Sequence, residues 1–330
     1  MVDKQPFSMI HGIGKSVPER ILTNHDLEKM VETSDEWIRS RTGIERRHIA
    51  DKSIRTSDLC SEAARGALKE AGIDAKDLDM ILVGTVSGDA TFPSTACYVQ
   101  QKIGAENASA MDLQAACSGF VYALSVADGF IATKKAKYVL VIGAEILTRL
   151  TNWEDRTTCV LFGDGAGAAV VGPADDSGRG IIDTYLKSDG RLTELLCMLG
   201  GGTTVPFQEA VDEGLMHIRM NGPEVFKAAV TAMGDAAQHI LEKNDVSPDE
   251  IKLLIPHQAN VRIIRATARR LKLPEEKVYT NVHEYGNTSA ASIPIALNEA
   301  QNEGRLEKGD LIMLVAFGGG FTWGSALMRF

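Results

Sequence analysis

Apolar residues along the chain fall into two series of short blocks that share one order. In the first series, the charged Asp77-Leu-Asp79 runs into Met80-Ile-Leu-Val83 and Gly84, which reads as a helix end entering a strand. A helix is expected at Thr95–Ile103, an extended segment at Ser109–Leu113, an apolar helix at 121–131 and a strand at 138–142. The turn Lys134-Lys-Ala-Lys137 precedes that strand. In the second series, Glu250-Ile-Lys-Leu-Leu-Ile-Pro256 enters a strand in the same way. A helix over 261–271 and an extended piece over 278–282 come next. Gly286-Asn287 then opens a helix ending near Glu303-Gly304, and a strand over 311–317 closes the series.

Two β-α-β-α-β units in sequence predict mostly parallel sheets covered by helices and joined by right-handed crossovers. We expect an α/β protein of two pseudo-repeated halves, 1–175 and 176–330, stacked as five layers, α/β/α/β/α. Residues 186–221, with Gly200-Gly-Gly202 and Pro206, have little periodicity and read as an excursion that covers a site. The glycine run Phe162-Gly-Asp-Gly-Ala-Gly167 leads into Ala168-Ala-Val-Val171 and Gly172-Pro173, strand chemistry instead of a helix start, so a dinucleotide loop fails its context.

Composition narrows the class. With 330 residues, 44% of them hydrophobic, the chain can bury a large core, and a net charge of -9 argues against a nucleic-acid surface. Residues 1–9 carry Asp3 and Lys4 and lack a basic-then-apolar signal, and the apolar runs stop well short of a membrane span, so a cytosolic protein is expected. Its five cysteines are scattered, without a CxxC pair or clustering with the seven histidines, and read as free thiols without metal.

Three side chains stand out by position. Cys117, in Ala115-Ala-Cys-Ser-Gly-Phe120, precedes the apolar helix; a helix N-terminus favours thiolate and can hold cysteine pKa values at roughly 3.5–7.5. It reads equally as a small core residue, the reading preferred for Cys60, Cys97, Cys159 and Cys197. His257, in Ile255-Pro-His-Gln-Ala-Asn260, lies at a strand's carboxyl end, where parallel sheets open ligand crevices, but such a histidine by itself is more often structural. Asn287, in Glu284-Tyr-Gly-Asn-Thr-Ser-Ala290, is by itself an ordinary helix cap. Superposing the half-repeats puts Cys117 and Asn287 at the same helix start and His257 at the end of the strand matching 81–84, so pseudo-twofold symmetry brings all three to one crevice.

With these residues in place, Ala116-Cys-Ser-Gly119, Pro256-His-Gln-Ala-Asn260, Gly286-Asn-Thr-Ser-Ala-Ala-Ser292 and Phe317-Gly-Gly-Gly-Phe-Thr-Trp-Gly-Ser325 together resemble the ketoacyl-acyl-carrier-protein synthase III family, over essentially the whole chain. Elongating synthases pair cysteine with two histidines, whereas this chain has Asn287. The resemblance implies a thiolase fold and a decarboxylative condensation that joins a short acyl-coenzyme A primer to malonyl-acyl carrier protein. The implied acyltransferase is a homodimer that needs no metal or prosthetic group.

By the same resemblance, Cys117 is acylated, His257 and Asn287 serve the decarboxylation, and the backbone N–H groups of Cys117 and Gly319 form the oxyanion hole. It implies coenzyme A contacts at Trp37, Arg41, Arg156 and Asn260, and an acyl pocket at Phe92, Leu161 and Phe317, Phe92 being contributed across the dimer. Carrier protein would dock at Arg262, Arg265, Arg269, Arg270 and Lys227. The helix after His257 independently carries Arg262, Arg265, Arg269 and Lys272 at helical spacing, a basic face in an acidic chain, read either as a docking surface or as a solvated face. Pro223, in Met220-Asn-Gly-Pro-Glu224, departs from the polar residue usual in relatives. Three rival readings remain at this stage. A cysteine hydrolase would lack its usual Cys-Gly-Ser-Cys-Trp surroundings; a non-elongating acyltransferase or natural-product priming synthase would share the catalytic residues; a noncatalytic binding module would leave Cys117, His257 and Asn287 unexplained.

Overall fold

The computed structural model describes residues 5–330, so Asp3 and Lys4 lie outside the described residues. Two main sheets form from two runs of elements. The first run is β1 (Ser8–Ser16), α1 (Thr56–Ala71), β2 (Met80–Gly84), α2 (Thr95–Ile103), β3 (Ser109–Leu113), α3 (Gly119–Ala132), β4 (Val139–Ile146) and β5 (Asp164–Pro173). The second is β6 (Gly180–Ser188), α4 (Gly222–Lys243), β7 (Leu253–Pro256), α5 (Val261–Arg270), α6 (Ser292–Asn302), β8 (Leu311–Gly318) and β9 (Thr322–Arg329).

The sheets repeat each other strand for strand. One has the order β1-β5-β4-β2-β3 and the other β6-β9-β8-β7, continued by a parallel bridge from Leu254 to Val278. In both, the first two pairings are antiparallel and the inner ones parallel. The expectation of mostly parallel sheets is thus only half met. Strands β5 and β9 return without a crossover helix, β9 directly after Gly319, Gly320 and Phe321, and such returns must run antiparallel.

Alternation along the strands sorts the core into layers. In β2, Met80 and Leu82 face a central layer holding Phe120, Leu124, Ile293 and Leu297 from α3 and α6, which Ile312 and Leu314 of the second sheet close from the far side. Ile81 and Val83 face outward onto α1 and α2. Met313 and Val315 face outward onto α4 and α5. Strands covered on both faces need continuous apolar runs, which is what β2, β4 and β8 carry.

Two local expectations are corrected. The extended piece expected over 278–282 is shorter: Val278 bridges to Leu254 and Tyr279 N–H donates to Leu254 O at 2.9 Å, but a helical turn starts at Val282. Asn287 does not open a helix; it precedes the tight turn Ser289–Ala291, and α6 starts at Ser292. The excursion 186–221 is partly ordered, with the short pairing of Leu196–Cys197 with Arg219–Met220 and a helix at Phe207–Asp212.

Candidate active site

The reactive-looking turn is built by close backbone approach. Cys117 lies in the tight turn Ala116–Ser118 that leads into α3, with Ala116 in the left-handed region at φ 44°. A left-handed non-glycine residue costs about 1–2 kcal/mol, so neighbouring contacts must hold it. Thr322 Oγ1 donates to Ala115 O at 2.8 Å and Ser118 Oγ donates to Thr322 O at 3.1 Å, fastening the turn to the start of β9. At Gly318 a β-carbon would lie 2.6 Å from the Cys117 backbone nitrogen, so only glycine lets this strand end press on the turn. Among the described residues, no backbone or side-chain acceptor receives the adjacent Gly319 N–H.

Ser289 mirrors Ala116: it too is left-handed, at φ 50°, in the turn that leads into α6. Matching these turns pairs Cys117 with Ala290, not with Asn287, which lies three residues further back. The helix starts correspond as expected, but the register inferred from sequence was shifted, because the tight turns before both helices were not visible in the residue pattern.

All three singled-out side chains line one cavity of about 100 Å³, with Leu161, Phe317, Asn260, Met220, Val225 and others around them. His257 is 2% exposed and Asn287 8%. His257 Nδ1 is 2.7 Å from Ser292 Oγ, which also receives the Gln258 backbone N–H at 3.2 Å. Ser292 therefore engages Nδ1, and among the described residues Nε2 has no protein partner. Burial lowers the His257 pKa to about 3, so the ring is neutral at physiological pH. Asn287 Oδ1 receives the Ser289 N–H at 2.8 Å, and among the described residues its NH2 has no protein partner. Asn260, conversely, is the residue that caps a helix: its Oδ1 receives Ile263 N–H at 3.0 Å.

The thiolate expectation is corrected. Burial pushes the Cys117 thiol up to about 12, the Ser289 side chain working against that and the buried Glu145 charge adding to it. Although the cavity reaches the residue, lost hydration opposes the thiolate that the start of α3 favours. Cys60 and Cys159 are buried as expected, whereas Cys97 and Cys197 are partly exposed, and all five are free.

A second, largely apolar cavity of about 190 Å³ meets the first at Cys117. Its lining includes Leu147, Leu150, Phe162, Met198 and Ile218, none of which was singled out from sequence. No local pattern marks them, since Leu147 and Leu150 share the turn after β4 while Phe162, Met198 and Ile218 come from other segments that only the fold assembles. Leu161 and Phe317, expected in an acyl pocket, line the first cavity with Cys117. Phe92 is 84% exposed and lines neither cavity, because its loop runs outward before the helix at Thr95.

At the outer end, Arg156 lies over the Trp37 ring, 5.6 Å from its centroid, and donates to Glu32 O at 2.8 Å. Arg41 is exposed on the same helix as Trp37. On α5, Arg262 lies 5.2 Å from the Phe226 ring centroid, and Arg262, Arg269 and Lys227 are exposed. Arg265 pairs with Glu275 at 3.3 Å and Arg270 with Asp235, so two of the expected docking cations already have acidic partners from neighbouring elements. Pro223 sits in the first turn of α4, where its missing N–H is of no consequence. Among the described residues, no group of three or more His, Cys, Asp or Glu is placed to hold a metal ion, and no helix is long and apolar enough to cross a membrane.

Comparison with known proteins agrees over the whole length. The family profile described as 3-oxoacyl-[acyl-carrier-protein] synthase III matches residues 111–190, and its C-terminal counterpart matches 241–330. A beta-ketoacyl-[acyl-carrier-protein] synthase III from Thioalkalivibrio sulfidiphilus is 54% identical over 98% of this chain and 99% of its own. The chain belongs to the beta-ketoacyl-[acyl-carrier-protein] synthase III family. Another synthase III, from Caldanaerobacter subterraneus, is 54% identical over 97% of each chain. The crystal structure of the Aquifex aeolicus synthase III superposes with a TM-score of 0.92 at 50% identity, covering 98% of this chain and 100% of that one. The priming beta-ketosynthase of the R1128 polyketide pathway superposes at 0.91 with 33% identity, covering 100% of this chain and 98% of that one. The chain is thus a condensing acyltransferase with the thiolase fold.

Proposed function

We propose that this chain primes fatty-acid synthesis by condensing a short acyl-coenzyme A with malonyl-acyl carrier protein, through an acyl group carried on Cys117. Attack by the Cys117 sulfur on the thioester carbonyl develops an oxyanion, which the N–H groups of Cys117 and Gly319 receive. Coenzyme A departs, malonyl-acyl carrier protein enters, and loss of carbon dioxide leaves enolate charge on its thioester oxygen. His257 Nε2–H and the Asn287 NH2 donate to that oxygen. Two neutral donors stabilise the enolate without introducing a negative group beside the departing carboxylate. The carbanion then attacks the acyl group and releases Cys117.

One observation carries this reading. Among the described residues, the Asn287 NH2 is left without a protein partner in the cavity that Cys117 and His257 line, because its Oδ1 is occupied by Ser289 N–H. A papain-like hydrolase would instead use imidazole as a base, and a buried ring with a pKa of about 3 suits a donor better than a base.

The remaining roles rest on the family resemblance. Trp37, Arg41 and Arg156 hold the adenine end of coenzyme A, Trp37 and Arg156 by stacking. Asn260 binds the pantetheine arm with its free amide NH2. The inner cavity holds the acyl chain: cavities of about 150 Å³ accept benzene, so a volume of about 190 Å³ suits primers of a few carbons. In a cytosolic homodimer, Phe92 serves the second copy's pocket. Arg262, Arg269 and Lys227 meet the acidic carrier protein. Residues 1–175 then supply the nucleophile and 176–330 the two donors.

Carbon dioxide release from malonyl-carrier protein, measured with and without acyl-coenzyme A, tests the reading. Release coupled one-to-one to 3-oxoacyl product is expected. Acyl-coenzyme A turnover with no carbon dioxide would replace condensation by hydrolysis or simple acyl transfer.

A further inference from the structure

Glu145 is a buried carboxyl group that the condensation described above does not use. It lies near the end of β4, 0% exposed, inside an otherwise apolar strand. A buried carboxylate is unfavourable unless hydrogen bonds replace its hydration, and four neutral donors supply them. Ser87 Oγ donates at 2.5 Å, Ser289 Oγ at 3.0 Å, and Thr85 Oγ1 and Val86 N at 3.2 Å. Thr85 Oγ1 receives Ser87 N–H at 3.1 Å and Ser87 Oγ receives Ile146 N–H at 2.8 Å, so both hydroxyl protons are free for Glu145. Residues 85–87, directly after β2, thus supply three of the donors, and Ser289 comes from the other half of the chain.

That fourth donor sits in the turn that orients Asn287. Ser289 is left-handed, at φ 50°, a conformation that a residue with a β-carbon keeps only where its surroundings hold it. Its backbone N–H donates to Asn287 Oδ1 at 2.8 Å, while its hydroxyl donates to Glu145 Oε1. Strand β4 supports the same turn at a second point. A β-carbon at Gly143 would lie 2.1 Å from Ala290 O, so only glycine lets the turn rest on the strand there. Gly143 and Glu145 are two residues apart and share one face of β4. One makes room for the Ala290 backbone and the other holds the Ser289 side chain. The Asn287 backbone is fixed separately, its N–H donating to Leu161 O at 2.8 Å and its O receiving Gly163 N–H at 3.1 Å. Orientation of the carboxamide then depends on where the turn aims the Ser289 N–H.

We propose that Glu145 is a positioning residue for the decarboxylation step, anchoring the Ser289 turn so that Ser289 N–H holds the Asn287 carboxamide with its NH2 toward the cavity. The role rests on the proposed function of Asn287 as a donor to the enolate oxygen. Glu145 lines neither cavity and acts through Ser289 and Asn287. Without its acceptor, the Ser289 hydroxyl loses the bond that secures the strained turn. The N–H then moves off Asn287 Oδ1, and the carboxamide samples orientations that aim its carbonyl oxygen at the enolate. A misplacement of about 1 Å is enough to slow a reaction step by up to about 10²-fold.

Two other roles for a buried carboxyl group give different behaviour. A purely structural Glu145, once removed, loosens the whole site and slows acylation and decarboxylation alike. An electrostatic Glu145 acts on the sulfur: burial first, and then the Glu145 charge, raise the Cys117 pKa, so removing that charge favours the thiolate and speeds acylation. The positioning role slows the malonyl half-reaction and leaves the acyl half-reaction undiminished, because Cys117 is acylated without the Asn287 carboxamide.

The test is a double-mutant cycle read by carbon dioxide release from malonyl-carrier protein under saturating acyl-coenzyme A, with acyl-Cys117 formation followed by mass spectrometry in the same proteins. Glu145→Met fills the site without an acceptor, and is expected to slow carbon dioxide release by at least about tenfold with acylation undiminished. Glu145→Gln keeps a carbonyl oxygen for the Ser289 hydroxyl and is expected to recover most of the loss. Adding Glu145→Met to Asn287→Ala is expected to slow release no further, because a residue that acts through Asn287 then has nothing left to position. Parent-rate release in Glu145→Met overturns the proposal, and so does a slowing that persists in full on the Asn287→Ala background. If circular dichroism finds Glu145→Met unfolded, Ser289→Ala, which removes the hydroxyl and keeps the N–H, decides by the same cycle. A parent that releases no carbon dioxide, or an Asn287→Ala protein as fast as the parent, removes the donor role of Asn287 and the proposal with it. A slow Asn287→Ala protein beside a parent-like Glu145→Met removes only the positioning role of Glu145.

Discussion

Asn287 Oδ1 receives the backbone N–H of Ser289 at 2.8 Å, and that bond decides which end of the carboxamide faces the cavity. Reversing the amide would set an NH2 against an N–H donor and aim a carbonyl at the developing enolate. Asn287→Ala and His257→Ala proteins are therefore expected to form the acyl-enzyme while releasing carbon dioxide from malonyl thioester about 10²-fold more slowly or worse, by analogy with loss of a single oxyanion donor. Asn287→Asp, which keeps the acceptor for Ser289 but places an acceptor-only oxygen in the cavity, is expected to be no better than the alanine variant. Carbon dioxide release under saturating acyl-coenzyme A is the measurement.

His257 also couples stability to pH. Its pKa falls from 6.5 in the unfolded chain to about 3 in the fold, so between those values the unfolded state binds more protons. Its contribution to stability is complete above about pH 6.5 and is lost as pH falls toward 3, at up to ~1.4 kcal/mol per pH unit. Glu145 works in the opposite sense: raised from 4.5 to about 7, it adds stability below the lower value and loses it as pH rises through the higher. A parent-minus-variant comparison isolates the histidine. Urea midpoints of parent and His257→Gln, taken at neutral pH and near pH 5, should show the parent losing more stability on acidification than the variant.

Gly318 is expected to tolerate no side chain. A β-carbon 2.6 Å from Cys117 N must displace either β8 or the nucleophile turn. Overpacking of this kind costs about 1–3 kcal/mol, and the displaced turn spoils the oxyanion site. Gly318→Ala is predicted to lower the melting temperature and to slow Cys117 acylation, whereas Gly72→Ala, facing open space, should strain only its own left-handed cap and leave acylation intact.

Among the described residues, the proposed docking face divides into cations with and without acidic partners. Charge reversal at Arg262 and Arg269 should raise KM for malonyl-carrier protein several-fold, with the difference shrinking as salt is added, while acyl-coenzyme A exchange is spared. Arg265→Glu and Arg270→Glu place like charges against Glu275 and Asp235, so they should perturb local stability more than carrier binding. Steady-state kinetics at two ionic strengths separates the pairs.

Legibility from sequence followed the physics of each element. Thr95–Ile103 and Ser109–Leu113 were found with their observed bounds, since apolar periodicity and flanking glycine or charge mark them clearly. His257 and Asn287 stood out beside Pro256 and Gly286, and Cys117 stood out directly before an apolar helix, each at a strand-to-helix junction. Glu145 was not: within Val139–Ile146 it looks like the tail of an apolar strand, and its four donors arrive from turns that the fold alone brings together. The inner cavity escaped for the same reason, and the thiolate expectation failed because sequence shows the helix behind Cys117 but not the desolvation around it.

The central claim is that Cys117 carries the acyl group while His257 and Asn287 act only on the malonyl partner. Peptide mass spectrometry after incubation with acetyl-coenzyme A tests it most directly. The account predicts an acetyl adduct on Cys117 in the parent, His257→Ala and Asn287→Ala proteins, and none at any residue in Cys117→Ser. An adduct on a different residue, or a folded Asn287→Ala protein with no adduct at all, would contradict it.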